Sequence, residues 1–429
     1  MTDTANMADT SSSQEYATGA VPDTVSSSAF SLALIIIGGT IGFAIFIVAA
    51  QIGGSLGYGK AALAFATGSM ILGIMGALTS YVGARTRLST YLLTENAFGQ
   101  SGAKIANAAV ALSLIGWYGV ISNFLGQAGR QMLIDAVGLT VPTWILVLIA
   151  SGLMIFVTVR GFKGIDKLAL YLVPIMFLFL IYAALRSVAA SDGAPLQLTS
   201  DFSFQTAVSA VVGSYIAGVI IQPDYSRFAK SHIGAIISVF VALGVVFPLI
   251  QFLSAIPSMT AANPDLIAVM SALGLAIPAF VLLAFGAWSS NVLCLYSSGL
   301  SIATLTTKLS LGKIITSIGI VGTAIAFVPA QGYLVNFLVV LGVVIPPIGA
   351  IYLIDAFLIR RFSYPDSEVQ PAFKMTALVS WLCGSTFGFL SQASTLQITG
   401  ISSIDSLLVT AIVFVALHYK NVQALFDKN

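Results

Sequence analysis

Long apolar segments recur along most of the chain and are separated by short polar stretches. A helix needs about 20 apolar residues to cross the hydrocarbon core of a bilayer, and windows of that length predict twelve spans. Their approximate limits are residues 28–52, 61–84, 104–127, 141–160, 167–187, 205–223, 233–256, 274–300, 313–330, 333–359, 375–393 and 402–419. The pattern therefore predicts an all-α membrane protein with twelve transmembrane helices.

Charged residues are too scarce for an ordinary soluble protein. They make up 8% of the 429 residues, against roughly 25% in soluble domains, whereas 58% are hydrophobic. The net charge of +2 does not favour nucleic acid as a partner. Residues 1–27 are rich in Ser and Thr and contain no Lys or Arg, so we expect a disordered cytoplasmic tail there and a second tail at 420–429.

The basic residues predict the orientation of the spans, because Lys and Arg accumulate in cytoplasmic loops. With the N-terminus inside, 15 of the 18 basic residues fall on the cytoplasmic side. The three on the outer side are Lys60, Arg130 and Arg186. We therefore predict that both termini lie in the cytoplasm.

The acidic residues avoid the middle of the predicted spans. All 16 lie in tails, in loops or in the last turns of spans, and both histidines lie at helix ends. A proton relay uses Asp, Glu or His near the midplane, and an intramembrane enzyme needs a general base there. The sequence therefore disfavours both. A passive channel is disfavoured as well, because pores usually carry polar or charged rings and the polar atoms here cluster in spans three, six and eight.

Glycine clusters interrupt spans one and six. Span one contains GGTIG at 38–42, and span six contains GSYIAG at 213–218 followed by Gln222-Pro223-Asp224. Small residues can simply allow close helix packing, but paired clusters favour broken helices that line a protected cavity. Carriers with inverted repeats place such helices at matching positions. We therefore predict one repeat over 28–187, a second over 205–359 and two additional helices over 375–419.

Three further spans carry informative residues. Ser289 and Ser290 in span eight offer uncharged oxygen donors, which together with carbonyls freed by a broken helix suit a monovalent cation such as Na⁺. Trp117 lies halfway through span three, where it is either core filler or a flat platform for a planar ligand. Pro346 and Pro347 predict a kink in span ten.

Several short motifs in one collinear order resemble the nucleobase:cation symporter-1 family, most closely its bacterial cytosine permease branch. The motifs are GARTRL at 83–88, FG at 98–99, GWYGV at 116–120, GSYI at 213–216, DYSRF at 224–228, WSSN at 288–291, LYSSGL at 295–300 and IPPIG at 345–349. The resemblance extends from about residue 35 to 362. It implies a LeuT-like five-plus-five inverted repeat plus two helices, and Na⁺-coupled uptake of a nucleobase or similar planar heterocycle by alternating access.

The resemblance also implies where the ligands bind. Five residues would supply carbonyl or hydroxyl oxygens to Na⁺: Gly38, Ile41, Gly286, Ser289 and Ser290. Six would contact the substrate: Phe43, Trp117, Ser214, Tyr215, Ala217 and Asn291. Of these, Trp117 and Tyr215 would enclose the ring between two aromatic faces. We expect no cofactor other than the coupling ion Na⁺, no obligate protein partner, and a location in the lipid bilayer of the bacterial inner membrane.

Positions in three spans depart from the cytosine permease pattern, one being the apolar pair Val292 and Leu293 where polar residues would follow Asn291. Leu114 stands where that branch has Gln, and Ala217 stands where it has Ser. An unpaired polar group on a buried base edge costs about 1 to 3 kcal/mol. A less polar heterocycle, such as a methylated or vitamin-precursor pyrimidine, is therefore expected to fit better than cytosine. Proton-coupled uptake of such a pyrimidine or of a hydantoin is the alternative.

Overall fold

The computed structural model of the chain describes residues 21–22, 26–160, 165–191, 202–263, 265–303, 309–365 and 369–419. Within these ranges the protein is helical, without a β-strand. The helices are α1 Ala29–Thr40, α2 Phe43–Thr86, α3 Thr90–Phe98, α4 Gln100–Val137, α5 Thr143–Arg160, α6 Ile165–Ala189, α7 Phe204–Ile220, α8 Gln222–Ser226, α9 His232–Thr260, α10 Leu266–Ala272, α11 Ala276–Ala303, α12 Leu311–Ile325, α13 Leu334–Val344, α14 Pro346–Ile354, α15 Met375–Gln392 and α16 Ser402–Leu417. The predicted tail at 420–429 and most of the tail at 1–27 lie outside the described residues.

Six helical stretches within the described ranges are long and apolar enough to cross a membrane. They are Ala44–Thr86, Gln100–Val137, Thr143–Arg160, His232–Thr260, Ala276–Ala303 and Leu334–Ile359. Shorter apolar helices lie between and around them, α1, α7 and α12 among them. The chain is a multi-pass membrane protein, while the count of twelve spans and the inverted repeat stay predictions.

The predicted break in the first span is confirmed. α1 ends at Thr40 and α2 begins at Phe43, and Gly42 between them has an extended backbone (φ −135°, ψ 147°). The amide of Ile45 donates to the carbonyl of Gly42 at 3.1 Å. In the described part of the chain the Ile41 carbonyl therefore accepts no helical hydrogen bond, and it is available to another partner.

A second interruption separates the first two predicted spans, which α2 otherwise joins. Gly57 has φ 71° and ψ 174°, a left-handed φ that disfavours every residue except glycine. Gly57, the last glycine of the cluster at 53–57, therefore separates a helix over residues 43–56 from a helix over residues 58–86. The cluster marks the end of the first span.

The break in the sixth span lies at the Gln222-Pro223-Asp224 end of the predicted segment and not within its glycine cluster. α7 is helical through residues 213–218 and is interrupted at Ile221, after which α8 begins at Gln222. Gly213 serves packing instead, because a Cβ at this position would overlap the carbonyl oxygen of Leu338 in α13. The break follows from Pro223, which has no N–H to donate to the carbonyl of Val219.

Side chains from other helices satisfy the carbonyls that this break frees. The Thr79 hydroxyl donates to the Val219 carbonyl at 2.9 Å, and the Tyr352 hydroxyl donates to the Ile220 carbonyl at 3.0 Å. A helix end inside an apolar protein needs such partners. The break is therefore a built feature of the fold, held by α2 and α14.

The proline pair in the tenth span also interrupts its helix. α13 ends at Val344 and α14 begins at Pro346, while the backbone of Ile345 between them stays helical (φ −85°, ψ −42°), so the kink itself stays a prediction. α13 packs along α7, α2 packs on α7 and α9, and α4 packs along α11. These contacts bring both helix breaks toward α4 and α11 at the centre of the molecule.

Candidate binding site

A small cavity lies where α1, α2, α4, α7, α8 and α11 meet. Its volume is about 100 Å³. An engineered apolar cavity of roughly 150 Å³ accepts benzene, so this cavity is smaller than, but of the same order as, the space that one small ring occupies. The side chains with polar atoms that line it are Trp117, Ser214, Tyr215, Gln222, Tyr225, Ser290, Cys294 and Ser297.

Two aromatic side chains flank the cavity. Trp117 in α4 is 7% exposed and packs edge-to-face on Phe337, with ring centroids 5.6 Å apart. The ring of Tyr215 in α7 lies over Gly218, where a Cβ would come within 2.8 Å of it. Of the two roles open for Trp117, lining a ligand cavity thus has structural support, although its contact with Phe337 also fills the core.

The joint between α1 and α2 meets α11 beside the cavity. A Cβ at Gly286 would lie 2.7 Å from the Ile41 carbonyl oxygen, so only glycine permits this approach of the two backbones. One turn further along α11, the Ser290 hydroxyl lies near Gly42, and its buried oxygen has no hydrogen-bond partner among the described residues. The joint therefore combines an unused carbonyl with an unused hydroxyl, both hard uncharged oxygen donors.

Comparison with known proteins gives the family. A family model described as "Permease for cytosine/purines, uracil, thiamine, allantoin" matches residues 25–399. The chain belongs to this permease family. The resemblance to nucleobase:cation symporters is thereby confirmed, as is the expectation of a transporter rather than an enzyme.

Relatives and solved structures agree with that assignment. The permease is 29% identical to the cytosine permease of Escherichia coli O157:H7 over 358 residues, which cover 82% of this chain and 83% of the relative. It resembles MHP1, a nucleobase-cation-symport-1 family transporter, in a closed conformation with bromovinylhydantoin bound, with a TM-score of 0.79 and 20% identity, covering 93% and 94% of the two chains. A Na⁺-coupled sialic acid symporter gives a TM-score of 0.65 at 13% identity, covering 91% and 89%. These two likenesses show the fold.

The structure brings together some of the predicted site residues of the permease. Trp117, Ser214, Tyr215, Ala217 and Ser290 line the cavity. Gly38 lies in the last turn of α1, Ile41 and Gly286 meet behind the cavity wall, and Ser289 precedes Ser290 in α11. Phe43 begins α2, and its side chain lies outside the described residues.

Asn291 lies elsewhere than the resemblance implies. It is fully buried in α11, and its amide nitrogen donates to the Ser122 hydroxyl at 3.0 Å and lies 3.1 Å from the sulfur of Met154. It is not among the described residues that line the cavity. One residue after Ser290 on a helix, a side chain points about 100° away, and Asn291 therefore faces α4 and α5 in this structure.

The wall positions that depart from the cytosine permease pattern do line the cavity. Leu114 and Ala217 are joined there by Leu293 and Ile121. The hydroxyl of Ser214 donates back to the Val211 carbonyl at 2.7 Å, so its oxygen retains only acceptor capacity toward a ligand. None of the described lining residues is an Asp, Glu or His.

Sequence reasoning missed three polar residues of the permease at one end of the cavity. Gln222 and Tyr225 come from α8, and Ser297 comes from α11, with its hydroxyl 3.5 Å from that of Tyr225. Ser214, Gly218, Gln222 and Tyr225 follow one another at intervals of three or four residues, which is the spacing of residues on one face of a helix. That spacing, and a Gln directly before a Pro in an apolar segment, were signals that could have found them.

Proposed function

We propose that the permease is a secondary active transporter that imports a nucleobase or related planar heterocycle by Na⁺ symport with alternating access. The single observation that carries this proposal is the small cavity at the α1–α2 joint that is lined by the aromatic residues Trp117 and Tyr215. Aromatic faces bind planar rings by stacking. The family and the relatives named above support the same substrate class.

The chemistry of the α1–α2 joint supports Na⁺ as the coupling ion. Na⁺ favours hard oxygen ligands, and the Ile41 carbonyl and Ser290 hydroxyl are two such donors without a described protein partner. Their side of α11 also carries Gly286 and Ser289. We propose that these residues, with Gly38, complete the ion site.

One element links the proposed ion and substrate sites. Gly42 lines the cavity, while the carbonyl of the preceding residue, Ile41, lies against Gly286. An ion that orders this joint lowers the cost of ordering it again for the substrate, which couples the two binding events. Coupling then requires no group that changes protonation.

The alternative is proton-coupled uptake of a hydantoin or a vitamin-precursor pyrimidine. The substrate part of this alternative has support, because Leu114 and Leu293 form an apolar wall that offers nothing to the polar edge of cytosine. Proton coupling has less support, because the described lining residues include no Asp, Glu or His.

We propose the inner membrane as the location, with both termini cytoplasmic and no obligate protein partner.

Uptake into proteoliposomes tests the proposal. The purified permease is reconstituted and offered radiolabelled uracil, cytosine, hydantoin and a 4-aminopyrimidine under a Na⁺ gradient, under a pH gradient, or with choline replacing Na⁺. We expect Na⁺-dependent accumulation of at least one ring. Ser290→Ala should weaken the apparent Na⁺ affinity by about tenfold or more, as loss of a ligand to a charged group does.

Ser298→Ala is the matched control for Ser290→Ala. Ser298 lies in the same helix and is fully buried, and its hydroxyl donates to the Cys294 carbonyl at 2.6 Å. Its loss should leave the Na⁺ dependence intact. Accumulation that persists in choline and follows the pH gradient instead would reject Na⁺ coupling in favour of the alternative.

A further inference from the structure

Gln222 lines the cavity and has a buried amide oxygen without a described partner. It is the first residue of α8, directly after the break at Ile221, and it is 1% exposed. Its side chain lines the same cavity as Trp117 and Tyr215. Its Oε1 is buried and accepts no hydrogen bond from any described residue.

Buried amides without partners are rare in native proteins, because desolvation of the group is then not repaid. The described lining residues contain two buried polar atoms of this kind, Gln222 Oε1 and Ser290 Oγ. Ser290 belongs to the proposed ion site. Gln222 is therefore the lining group outside the proposed ion site that has an unused acceptor to offer a ligand in the cavity.

A structural role at the helix break does not account for this amide. The carbonyls of Val219 and Ile220, which the break frees, already accept hydrogen bonds from Thr79 and Tyr352. The amide of Gln222 makes neither of these contacts. The side chains that hold the break therefore leave the amide of Gln222 unused.

The chemistry of a carboxamide defines what it can recognise. Its C=O accepts and its NH₂ donates side by side, which matches a ring edge where a donor and an acceptor are adjacent. A lactam edge, –CO–NH–, and an amidine edge, –N=C–NH₂, both have this pattern. Rotation of the amide by 180° presents the same two groups in the opposite order, so either edge can be read.

We propose that Gln222 is the specificity-determining residue of the site, and that it forms paired hydrogen bonds with the lactam or amidine edge of a single-ring heterocycle. This inference rests on the proposed function. It assigns edge recognition to α8 in place of the positions that Leu114 and Ala217 occupy. The apolar wall then contacts the rest of the ring, and a ring whose nitrogens are all methylated is rejected.

Ligand binding to the full-length protein in detergent with saturating Na⁺ tests the inference. Isothermal titration first identifies which of uracil and hydantoin binds more tightly, and that ring is compared with its 1,3-dimethyl derivative, which has no ring N–H. The carbon-methylated ring, thymine or 5-methylhydantoin, controls for added bulk. We expect the wild type to prefer the N–H ring over the dimethyl ring by about tenfold or more, since sites with buried polar groups reject analogues that leave them unpaired.

Gln222→Met removes the amide at nearly constant volume and should reduce that preference to less than about threefold. Gln51→Met is the matched control, because Gln51 Oε1 is also buried without a described partner but does not line the cavity. It should keep the wild-type preference. An unchanged preference in Gln222→Met, or none in the wild type, overturns this inference while the transport proposal stands. Absence of wild-type binding to uracil, hydantoin, cytosine and a 4-aminopyrimidine overturns both.

Discussion

At the scale of single residues, glycine lets the helices around the cavity approach each other closely. Gly213 lies against the backbone of Leu338, and a Cβ there would overlap the Leu338 carbonyl oxygen. Backbone cannot move aside as a flexible side chain can. α7 would have to shift away from α13 to accept any larger residue, and it carries Ser214 and Tyr215 with it.

Gly213→Ala is therefore expected to destabilise the protein. Overpacking a tight core costs about 1 to 3 kcal/mol, and here it exceeds the gain in helix propensity of about 1 kcal/mol. The measurement is the midpoint of thermal unfolding in detergent, followed by tryptophan fluorescence at one fixed scan rate. We expect a clear decrease in the midpoint.

Gly152→Ala provides the comparison for this substitution. Gly152 lies within α5, and a Cβ there meets nothing within 4 Å. The same chemical change should thus leave the midpoint unchanged or raise it slightly, because alanine favours the helix. Equal midpoints for Gly213→Ala and the wild type would show that α7 and α13 can separate without cost.

Residue-scale prediction from sequence succeeded where a residue's type limits its environment. A tryptophan at mid-depth beside glycines indicated either a core-filling side chain or a flat platform for a planar ligand. Trp117 lines the cavity. Asn291, by contrast, does not line the cavity in this structure, because a helix distributes neighbouring side chains over different faces and a motif does not specify which face is turned inward. The partner of Asn291 is Ser122, 169 positions away in the chain, which no local pattern encodes.

At the scale of elements, the two helix breaks differ in what could be read from the chain. The break in span one coincides with its glycines at 38–42. The break in span six lies after the glycines, at Ile221 and directly before the Gln222-Pro223-Asp224 motif of the same span, where Pro223 has no amide hydrogen to donate to the Val219 carbonyl. Proline was the stronger signal, and the glycines at 213 and 218 serve contacts with Leu338 and Tyr215.

A backbone contact joins the segment before α1 to the loop after α8. The Ser27 amide donates to the Phe228 carbonyl at 2.6 Å, and the Lys230 amide donates to the Ser27 carbonyl at 3.0 Å. The Val21 amide also donates to the Arg87 carbonyl at 3.1 Å. Because the predicted topology places this contact on the cytoplasmic side, we expect it to favour a state that is closed toward the cytoplasm.

Ser27→Pro tests that expectation, because proline has no amide hydrogen to donate to Phe228. Loss of one hydrogen bond of about 1 kcal/mol shifts a two-state equilibrium by about fivefold. Cys294 lines the cavity and reports opening through its rate of reaction with a membrane-impermeant thiol reagent. The other cysteine of the sequence, Cys383, is replaced by serine so that only Cys294 reacts. In this background, we expect Ser27→Pro to speed labelling of Cys294 from the cytoplasmic side by about fivefold.

The neighbouring substitution Ser26→Pro separates this effect from chain stiffening. It introduces the same ring one position earlier and leaves the Ser27 amide in place. Labelling of this variant should proceed at the wild-type rate. If both proline variants react alike, the contact between Ser27 and Phe228 does not hold the cytoplasmic side closed.

At the scale of the whole molecule, composition was the most reliable part of the sequence. Two conclusions, that the chain is a helical membrane protein and that it belongs to the permease family, rest on features spread over hundreds of residues. An error at a few positions does not change them. The cavity depends on six helices that meet at the centre, and its polar end rests on Gln222, Tyr225 and Ser297 from two of them. Their proximity is a property of the fold and could not be deduced from one segment.

Alternating access makes a prediction for the molecule as a whole. The sequence contains two cysteines, so Cys383→Ser leaves Cys294 in the cavity as the sole thiol. In right-side-out and inside-out vesicles, an impermeant methanethiosulfonate should label Cys294 from either side, because each opening exposes the same cavity in turn. Cys294→Ser in the same background should give no labelling.

The ligands should change those labelling rates in a pattern that a static pore cannot produce. A ring bound between Trp117 and Tyr215 covers the cavity, so saturating substrate with Na⁺ should slow labelling by about tenfold or more from both sides, as a site occupied at least nine-tenths of the time requires. If Na⁺ binds the α1–α2 joint as proposed, and binds it more tightly in one state than in the other, Na⁺ alone should alter the ratio of outside to inside rates. Access from one side only under every condition, or rates that neither ligand changes, would reject a moving gate, since a fixed cavity exposes Cys294 to the same bath at all times.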